Sequence, residues 1–298
     1  MKKRKLTAAM AGIFFCLLTN GGAASAETLL ERGKYLMNGI VACGNCHTPG
    51  SLLGRSERGR EMAGGHKWEE PPFTTYASNI TPDKGTGIGN WTDEQIFTSL
   101  REGKRPDGSI IGPPMSGELY ARISDRDVRA IIAYLRQVKP LKNFVPRGTY
   151  RIPLPPAWGP KKSVPEVSRE DKVKYGEYLA GPLGHCVECH TPMVKGRRDY
   201  KNQFGAGGFL LDGPWGKSYS ANITPDPETG LGKWSDRQIK TAIATGYRAN
   251  GDKMNPPMGY HFYENISRED LDAIVAYLRT LKPIKKARKV RFTPHMKK

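Results

Sequence analysis

Apolar residues recur with the period of an α-helix in two places along the chain. In both places, isoleucine, leucine and valine follow the spacing i, i+3, i+4 and i+7. The apolar positions are Val128, Ile131, Ile132 and Leu135, matched by Leu271, Ile274, Val275 and Leu278. Such spacing puts one apolar stripe on one face of a helix. It therefore predicts two helices that pack against a core.

Capping signals predict three main helices in each part of the chain. The first helix is expected around 29–39 and 172–181. The second begins at a serine or threonine followed three residues later by glutamine, a capping box, and ends at a glycine. The third begins at a serine with an acidic residue three positions on. The capping residues are Thr92, Gly103 and Ser124, matched by Ser235, Gly246 and Ser267.

Between these helices the sequence reads as loop. The chain contains 34 glycines and 23 prolines, and no strand pattern is evident. The expected fold class is therefore all-α.

A single offset of 143 residues relates the two parts of the chain. It relates residues 78–96, SNITPDKGTGIGNWTDEQI, to residues 221–239, ANITPDPETGLGKWSDRQI. It also relates 129–142 to 272–285. An unchanged offset predicts that both parts share one fold without net insertions.

The repeat sets the expected domain boundaries. The segment between the two parts is rich in proline and lacks helical periodicity, so it is expected to be a semi-rigid linker. The predicted organisation is a first domain over 27–142, a linker over 143–169, a second domain over 170–285 and a basic tail over 286–298.

Residues 1–26 have the pattern of a secretory signal peptide. Four basic residues precede an apolar run from about Leu6 to Leu18, and small residues end at Ala26. The run is shorter than the ~20 residues that span a bilayer, so we expect cleavage after Ala26 rather than an uncleaved anchor. Cleavage predicts a periplasmic protein and removes Cys16 from the mature chain.

The remaining cysteines all lie in two Cys-x-x-Cys-His motifs. They are Cys43, Cys46, Cys186 and Cys189, and the motifs end at His47 and His190. This motif is the attachment site of c-type haem: both thiols bind the porphyrin, and the adjacent imidazole binds the iron. The sequence therefore predicts two covalently bound haems.

Three other uses of the cysteines explain less. A disulfide scaffold would spread its cysteines along the chain. A thioredoxin-like dithiol needs neither the histidine nor this sequence context. A four-cysteine zinc site is geometrically possible but leaves both histidines without a role.

The sixth iron ligand is expected to repeat with the same offset. Met115 and Met258, each after Pro-Pro, meet this test, whereas the unassigned histidines and other methionines do not. A lone buried methionine is usually core filler. The duplicated Pro-Pro-Met, in a loop after a helix, favours ligation instead, since paired prolines fix the backbone.

Other duplicated residues are weaker candidates for the haem environment. They are Asn79 and Asn222, and Trp91 and Trp234. Hydrogen bonds to haem propionates or packing on the ring are the functional alternatives. Turn-forming and core roles fit these residue types equally well.

This arrangement of helices, haem motif and methionine loop resembles class I cytochrome c domains. The repeated segments, with the terminal AI-x-AYLR-x-x-KP, are similar to cytochrome c subunits of periplasmic alcohol, gluconate and related dehydrogenases. Those subunits commonly carry three haems, whereas this chain has two motifs. The resemblance implies two tandem class I domains, each with three main helices around a haem, and leaves the particular dehydrogenase open.

Charge suggests the kind of partner. The formal net charge is +18, and removal of the four basic residues in the leader leaves +14. An exported haem protein has little access to nucleic acid, so an acidic redox partner or an anionic membrane surface is expected, although a solvated basic face is the default reading.

Two functions remain open. The favoured one is electron transfer from a dehydrogenase subunit to a downstream cytochrome or oxidase, without catalysis by this chain. The alternative is a dihaem peroxidase, in which one iron keeps an exchangeable position. Methionines at both irons argue against it.

Overall fold

The computed structural model describes residues 27–115, 117–154, 156–157, 162–286 and 292–294. The predicted signal peptide and most of the predicted basic tail lie outside these residues. Within the described residues, no helix is both long and apolar enough to cross a bilayer.

The first half of the described chain contains five α-helices, one 3-10 turn (Ser51–Leu53) and three strands. The helices are α1 (Leu29–Asn38), α2 (Cys43–His47), α3 (Asp93–Glu102), α4 (Gly117–Tyr120) and α5 (Asp125–Leu135). The strands are β1 (Lys67–Glu70), β2 (Phe73–Tyr76) and β3 (Thr149–Tyr150).

The second half repeats these α-helices and strands and adds a short hairpin. The helices are α6 (Lys172–Tyr178), continued by a π-helical turn over Leu179–Leu183, α7 (Cys186–Cys189), α8 (Asp236–Thr245), α9 (Tyr260–Tyr263) and α10 (Arg268–Thr280). The strands are β4 (Met193–Val194), β5 (Arg197–Arg198), β6 (Leu210–Gly213), β7 (Gly216–Tyr219) and β8 (Phe292–Thr293). Each α-helix and strand of the first half begins 143 residues before its counterpart. The structural repeat therefore extends beyond the repeated sequence segments.

Capping residues act as predicted. The side chains of Thr92 and Ser235 accept hydrogen bonds from the backbone of the glutamine three residues on, and both capping boxes are complete. The helices α3 and α8 end at Gly103 and Gly246 in the left-handed conformation that glycine adopts readily.

The prediction of an all-α fold is wrong. Within the described residues, β1–β2–β3 and β6–β7–β8 form three-stranded antiparallel sheets, and β4–β5 forms a hairpin. Strands of two to four residues are too short to display a period-two pattern. In addition, β3 pairs with a strand about 75 residues earlier, and such a partner is not visible in local sequence.

The core lies between the first and last helix of each half. All eight residues of the predicted apolar stripes are buried, which confirms that assignment. A close crossing explains the glycines on the opposing helices: a Cβ on Gly33 would lie 1.9 Å from the carbonyl oxygen of Ala130, and a Cβ on Gly176 would lie 1.9 Å from that of Ala273. Only glycine allows the helix backbones to approach this closely.

A buried ion pair ties α1 to α5. Nε of Arg32 lies 2.8 Å from Oδ1 of Asp127, and Nη2 donates to Oδ2 at 3.0 Å. The same Nη2 donates to the hydroxyl of Tyr175, its repeat equivalent in the other half, at 3.3 Å. The two halves therefore dock through the helices that form their cores.

Candidate haem sites

Each Cys-x-x-Cys-His motif forms a short helix after the first main helix of its half. The preceding residues, Ala42 and His185, adopt the left-handed conformation (φ 46° and 51°), which turns the chain into α2 and α7. All four cysteines are unpaired and partly buried. Their thiols are therefore free to form other bonds.

Burial makes these thiols weak acids. It raises the pKa of Cys43, Cys46 and Cys189 to about 12, and that of Cys186 to about 11. Reactive dithiols show the opposite, a lowered thiol pKa beside basic groups or helix N-termini. The environment thus does not resemble that of a redox dithiol.

The two histidines are oriented by backbone carbonyl groups. Nδ1 of His47 lies 2.8 Å from the carbonyl oxygen of Ser78, and Nδ1 of His190 lies 2.7 Å from that of Ala221. A carbonyl oxygen can only accept, so Nδ1 carries the proton and Nε2 keeps a lone pair. Burial lowers both pKa values, opposed by these hydrogen bonds, and favours the neutral imidazole that binds a metal. Such an outer hydrogen bond is typical of a metal-binding histidine.

The methionine loops repeat in structure as in sequence. Met115 and Met258 are partly buried, and short helices, α4 and α9, follow them. The Pro113–Pro114 and Pro256–Pro257 peptide bonds are both cis. Met115 packs against the hydrophobic core. The role of the two methionines as iron ligands stays a prediction.

Asn79 and Asn222 are engaged in hydrogen bonds that hold the segment after the last main helix of each half. Nδ2 of Asn79 donates to the carbonyl oxygen of Leu141 at 2.8 Å, and Nδ2 of Asn222 donates to that of Ile284 at 2.7 Å. Both Oδ1 atoms accept from the backbone N–H two residues on. This geometry supports the turn-forming alternative.

The backbone at the two tryptophans is held by arginines at the ends of the last main helices. Trp91 and Trp234 are partly buried and pack against the core. Their carbonyl oxygens accept hydrogen bonds from Arg136 and Arg279. The structure thus gives the tryptophans a packing role, and haem contact stays a prediction for them and for the asparagines.

Sequence reasoning missed how the two motifs meet across the interface between the halves. The ring of His185, beside Cys186, packs edge-on against Tyr120 of α4, with centroids 4.5 Å apart. In the other direction, a Cβ on Gly44 would lie 2.9 Å from the ring of Phe262 on α9. Each attachment motif therefore packs against the helix that follows the methionine loop of the other half. A repeat offset carries no information on how two repeats pack against each other. The only sequence signal for this interface was the presence of aromatic residues near the methionine loops.

Two other features are distinct from the attachment motifs. Among the described residues, no three His, Cys, Asp or Glu side chains converge as metal ligands do, so the cysteine pairs do not form a four-thiolate cluster.

A cavity of about 390 Å³ lies where Arg32, Asp127 and Tyr175 meet residues 166–169. No cysteine lines it.

Paired thiols, a carbonyl-anchored histidine directly after them, and packed first and last helices are the features of c-type cytochromes. Residues 175–282 match the cytochrome c family. This family carries covalently attached haem. Because the match defines one domain, the prediction of an all-α pair of tandem cytochrome c domains is wrong on this count as well.

Nearly the whole chain is similar to cytochrome subunits of dehydrogenases. It is 33% identical to the fructose dehydrogenase cytochrome subunit of Gluconobacter japonicus, over 87% of this chain and 54% of that protein. It is 34% identical to the cytochrome c subunit of a quinone-dependent alcohol dehydrogenase from Gluconobacter oxydans, over 87% and 57%. A dihaem c-type cytochrome of Cereibacter sphaeroides is 29% identical, over 81% and 82%. The chain thus spans little more than half the length of the two dehydrogenase subunits.

Proposed function

We propose that this chain is a dihaem cytochrome c that carries electrons from a dehydrogenase to a downstream cytochrome or oxidase. The observation that carries the proposal is the duplicated attachment motif with its anchored histidine. In both halves, the histidine donates the same hydrogen bond: His47 and His190 each bind the backbone carbonyl oxygen of the residue 31 positions further along the chain. One haem at each motif accounts for all four cysteines of the described chain.

The chain's own residues have three tasks in this function. Cys43 and Cys46, and likewise Cys186 and Cys189, hold a haem covalently. Each histidine presents Nε2 to the iron, in an orientation fixed by the backbone. Met115 and Met258 close the sixth positions. When bound, haem supplies a centre that gains and loses one electron, and histidine–methionine ligation raises its potential.

The relatives and the charge indicate the donor. Similar proteins are cytochrome subunits of fructose and alcohol dehydrogenases, so the proposed donor is a dehydrogenase subunit. The net charge of +14 that remains without residues 1–26 favours approach to an acidic partner surface or peripheral contact with anionic lipid. The leader-like residues 1–26 support a periplasmic location.

Electron transfer is tested by mixing the oxidised holoprotein with a reduced quinone-dependent dehydrogenase. We expect rapid reduction of both haems, slowed by added salt because the attraction is electrostatic. Little hydrogen peroxide should be consumed. Slow reduction together with rapid peroxide turnover would favour the dihaem peroxidase instead.

A further inference from the structure

The two methionine loops, 112–115 and 255–258, are repeat equivalents, but different side chains hold their backbones in place. The hydroxyl of Tyr150, on β3, lies 3.0 Å from the carbonyl oxygen of Pro113, two residues before Met115. This oxygen can only accept, so the tyrosine donates its proton to it. The same hydroxyl lies 3.1 Å from Oγ1 of Thr75 on β2, which anchors the tyrosine to the sheet.

Packing reinforces this hydrogen bond. A Cβ on Gly112 would lie 2.7 Å from two ring atoms of Tyr150 and 2.7 Å from Cδ2 of Leu154. These side chains therefore cover the backbone where the loop begins. Tyr150 is held in turn by pairing with Phe73, whose ring centroid is 5.8 Å from its own. The first methionine loop is thus clamped by its own half.

Among the described residues of the second half, none offers an equivalent hydroxyl to the second methionine loop. The offset places Thr293 where the first half has Tyr150. The strand register also differs: Tyr150 lies opposite Phe73, but Thr293 lies opposite Lys217, one position further along the equivalent strand. A shift of one residue exchanges the faces of a strand, so Phe292 lies on the face that Tyr150 occupies in the first half. A phenylalanine ring has no proton to donate.

A weaker contact reaches the second loop from the other half. Nδ2 of Asn45, inside the first attachment motif, lies 3.4 Å from the carbonyl oxygen of Pro257. This exceeds the usual length of an N–H···O hydrogen bond. The loop before Met258 is therefore held less firmly than the loop before Met115.

We propose that Tyr150 is a positioning residue for Met115, and that the site of Met258 exchanges its methionine more readily. The inference rests on the proposed function, in which the two methionines close the two irons. The inference predicts that small exogenous ligands, such as imidazole, bind first at the site of Met258.

The test follows the methionine-to-iron absorption band of the ferric holoprotein while imidazole is added. In the wild type, the band should disappear in two phases of similar size, and Met258→Ala should remove the faster one. Tyr150→Phe should accelerate the slower phase about fivefold, the effect of losing one neutral hydrogen bond. It should also lower one midpoint potential. The matched variant Thr293→Val should leave both phases unchanged.

Each contrary result has its own meaning. Equal exchange rates at the two sites, or a slow phase that Tyr150→Phe does not accelerate, would overturn the inference while the proposed function stands. Acceleration of both phases by Tyr150→Phe would also overturn it, because a general loosening of the fold would then be the cause. A wild-type protein without any methionine band would overturn the inference and the proposed ligands together.

Discussion

Tyr35 and Tyr178 are repeat equivalents, and each caps the last main helix of the opposite half. The hydroxyl of Tyr35 donates to Oδ2 of Asp270 at 2.7 Å and accepts from the backbone N–H of Ser267 at 3.1 Å. The hydroxyl of Tyr178 lies 2.8 Å from Oδ2 of Asp127 and accepts from the N–H of Ser124 at 3.0 Å. Such reciprocal contacts are the mark of a two-fold interface, here formed within one chain.

Removal of the Tyr178 hydroxyl should destabilise the protein. Tyr178→Phe leaves the buried N–H of Ser124 and an oxygen of Asp127 without this partner, which costs about 1–3 kcal/mol. Unfolding in denaturant measures the change. Tyr134→Phe is the matched control, because the hydroxyl of Tyr134 makes only long contacts, at 3.4 and 3.5 Å, with the side chain of Asn38. Equal unfolding midpoints for the two variants would show that the cross-half hydrogen bonds contribute nothing.

Helix crossings should not tolerate a methyl group. Gly33→Ala and Gly176→Ala place a Cβ 1.9 Å from a carbonyl oxygen of the opposing helix. The helices must then separate, at a cost of about 3 kcal/mol or more. Gly181→Ala is the control, since its Cβ would meet no atom within 4 Å. Thermal unfolding distinguishes the variants, and a normal midpoint for Gly33→Ala would contradict the described crossing.

The protein should lose stability in acid because two repeat-equivalent turns each depend on an ionised aspartate, Asp83 or Asp226. Hydrogen bonds from the side chain and backbone of Thr86 lower the pKa of Asp83, and those from Thr229 lower the pKa of Asp226. A lowered pKa in the folded state stabilises the protein above the ordinary value of about 3.9. This contribution is lost as the pH falls through the lower, folded-state pKa.

Paired replacement of these aspartates tests the pH dependence. Asp83→Asn with Asp226→Asn keeps an oxygen that accepts the hydrogen bonds but removes the titration. Denaturant midpoints recorded from neutral pH into the acid range should therefore decline less steeply than in the wild type. An unchanged slope would assign the acid sensitivity to other carboxylates.

Sequence patterns predicted the features that depend on neighbours along the chain. The apolar stripe around Ile131 and the capping box at Thr92 follow from spacing within one helix, and both are confirmed. The strand at Thr149–Tyr150 and the contact between His185 and Tyr120 depend on residues distant in sequence. For the same reason, the hydrogen bond of His47 to the carbonyl of Ser78 could not be read from its motif.

Haem load should depend on each cysteine pair independently. The intact mass of the wild type after acid-acetone treatment should correspond to two retained haems. Cys43→Ala with Cys46→Ala should remove one haem, and Cys186→Ala with Cys189→Ala should remove the other. One haem in the wild type, or haem extracted by the solvent, would contradict covalent attachment at both motifs.

The central claim is that the chain carries two haems, each closed by histidine and methionine. An optical redox titration of the wild-type holoprotein tests it most directly. We predict that two electrons enter per chain, that both ferric haems are low-spin, and that the methionine-to-iron band falls by about half in Met115→Ala and in Met258→Ala, consistent with one methionine ligand per iron. A high-spin ferric haem in the wild type, or a band that neither replacement diminishes, would contradict the account.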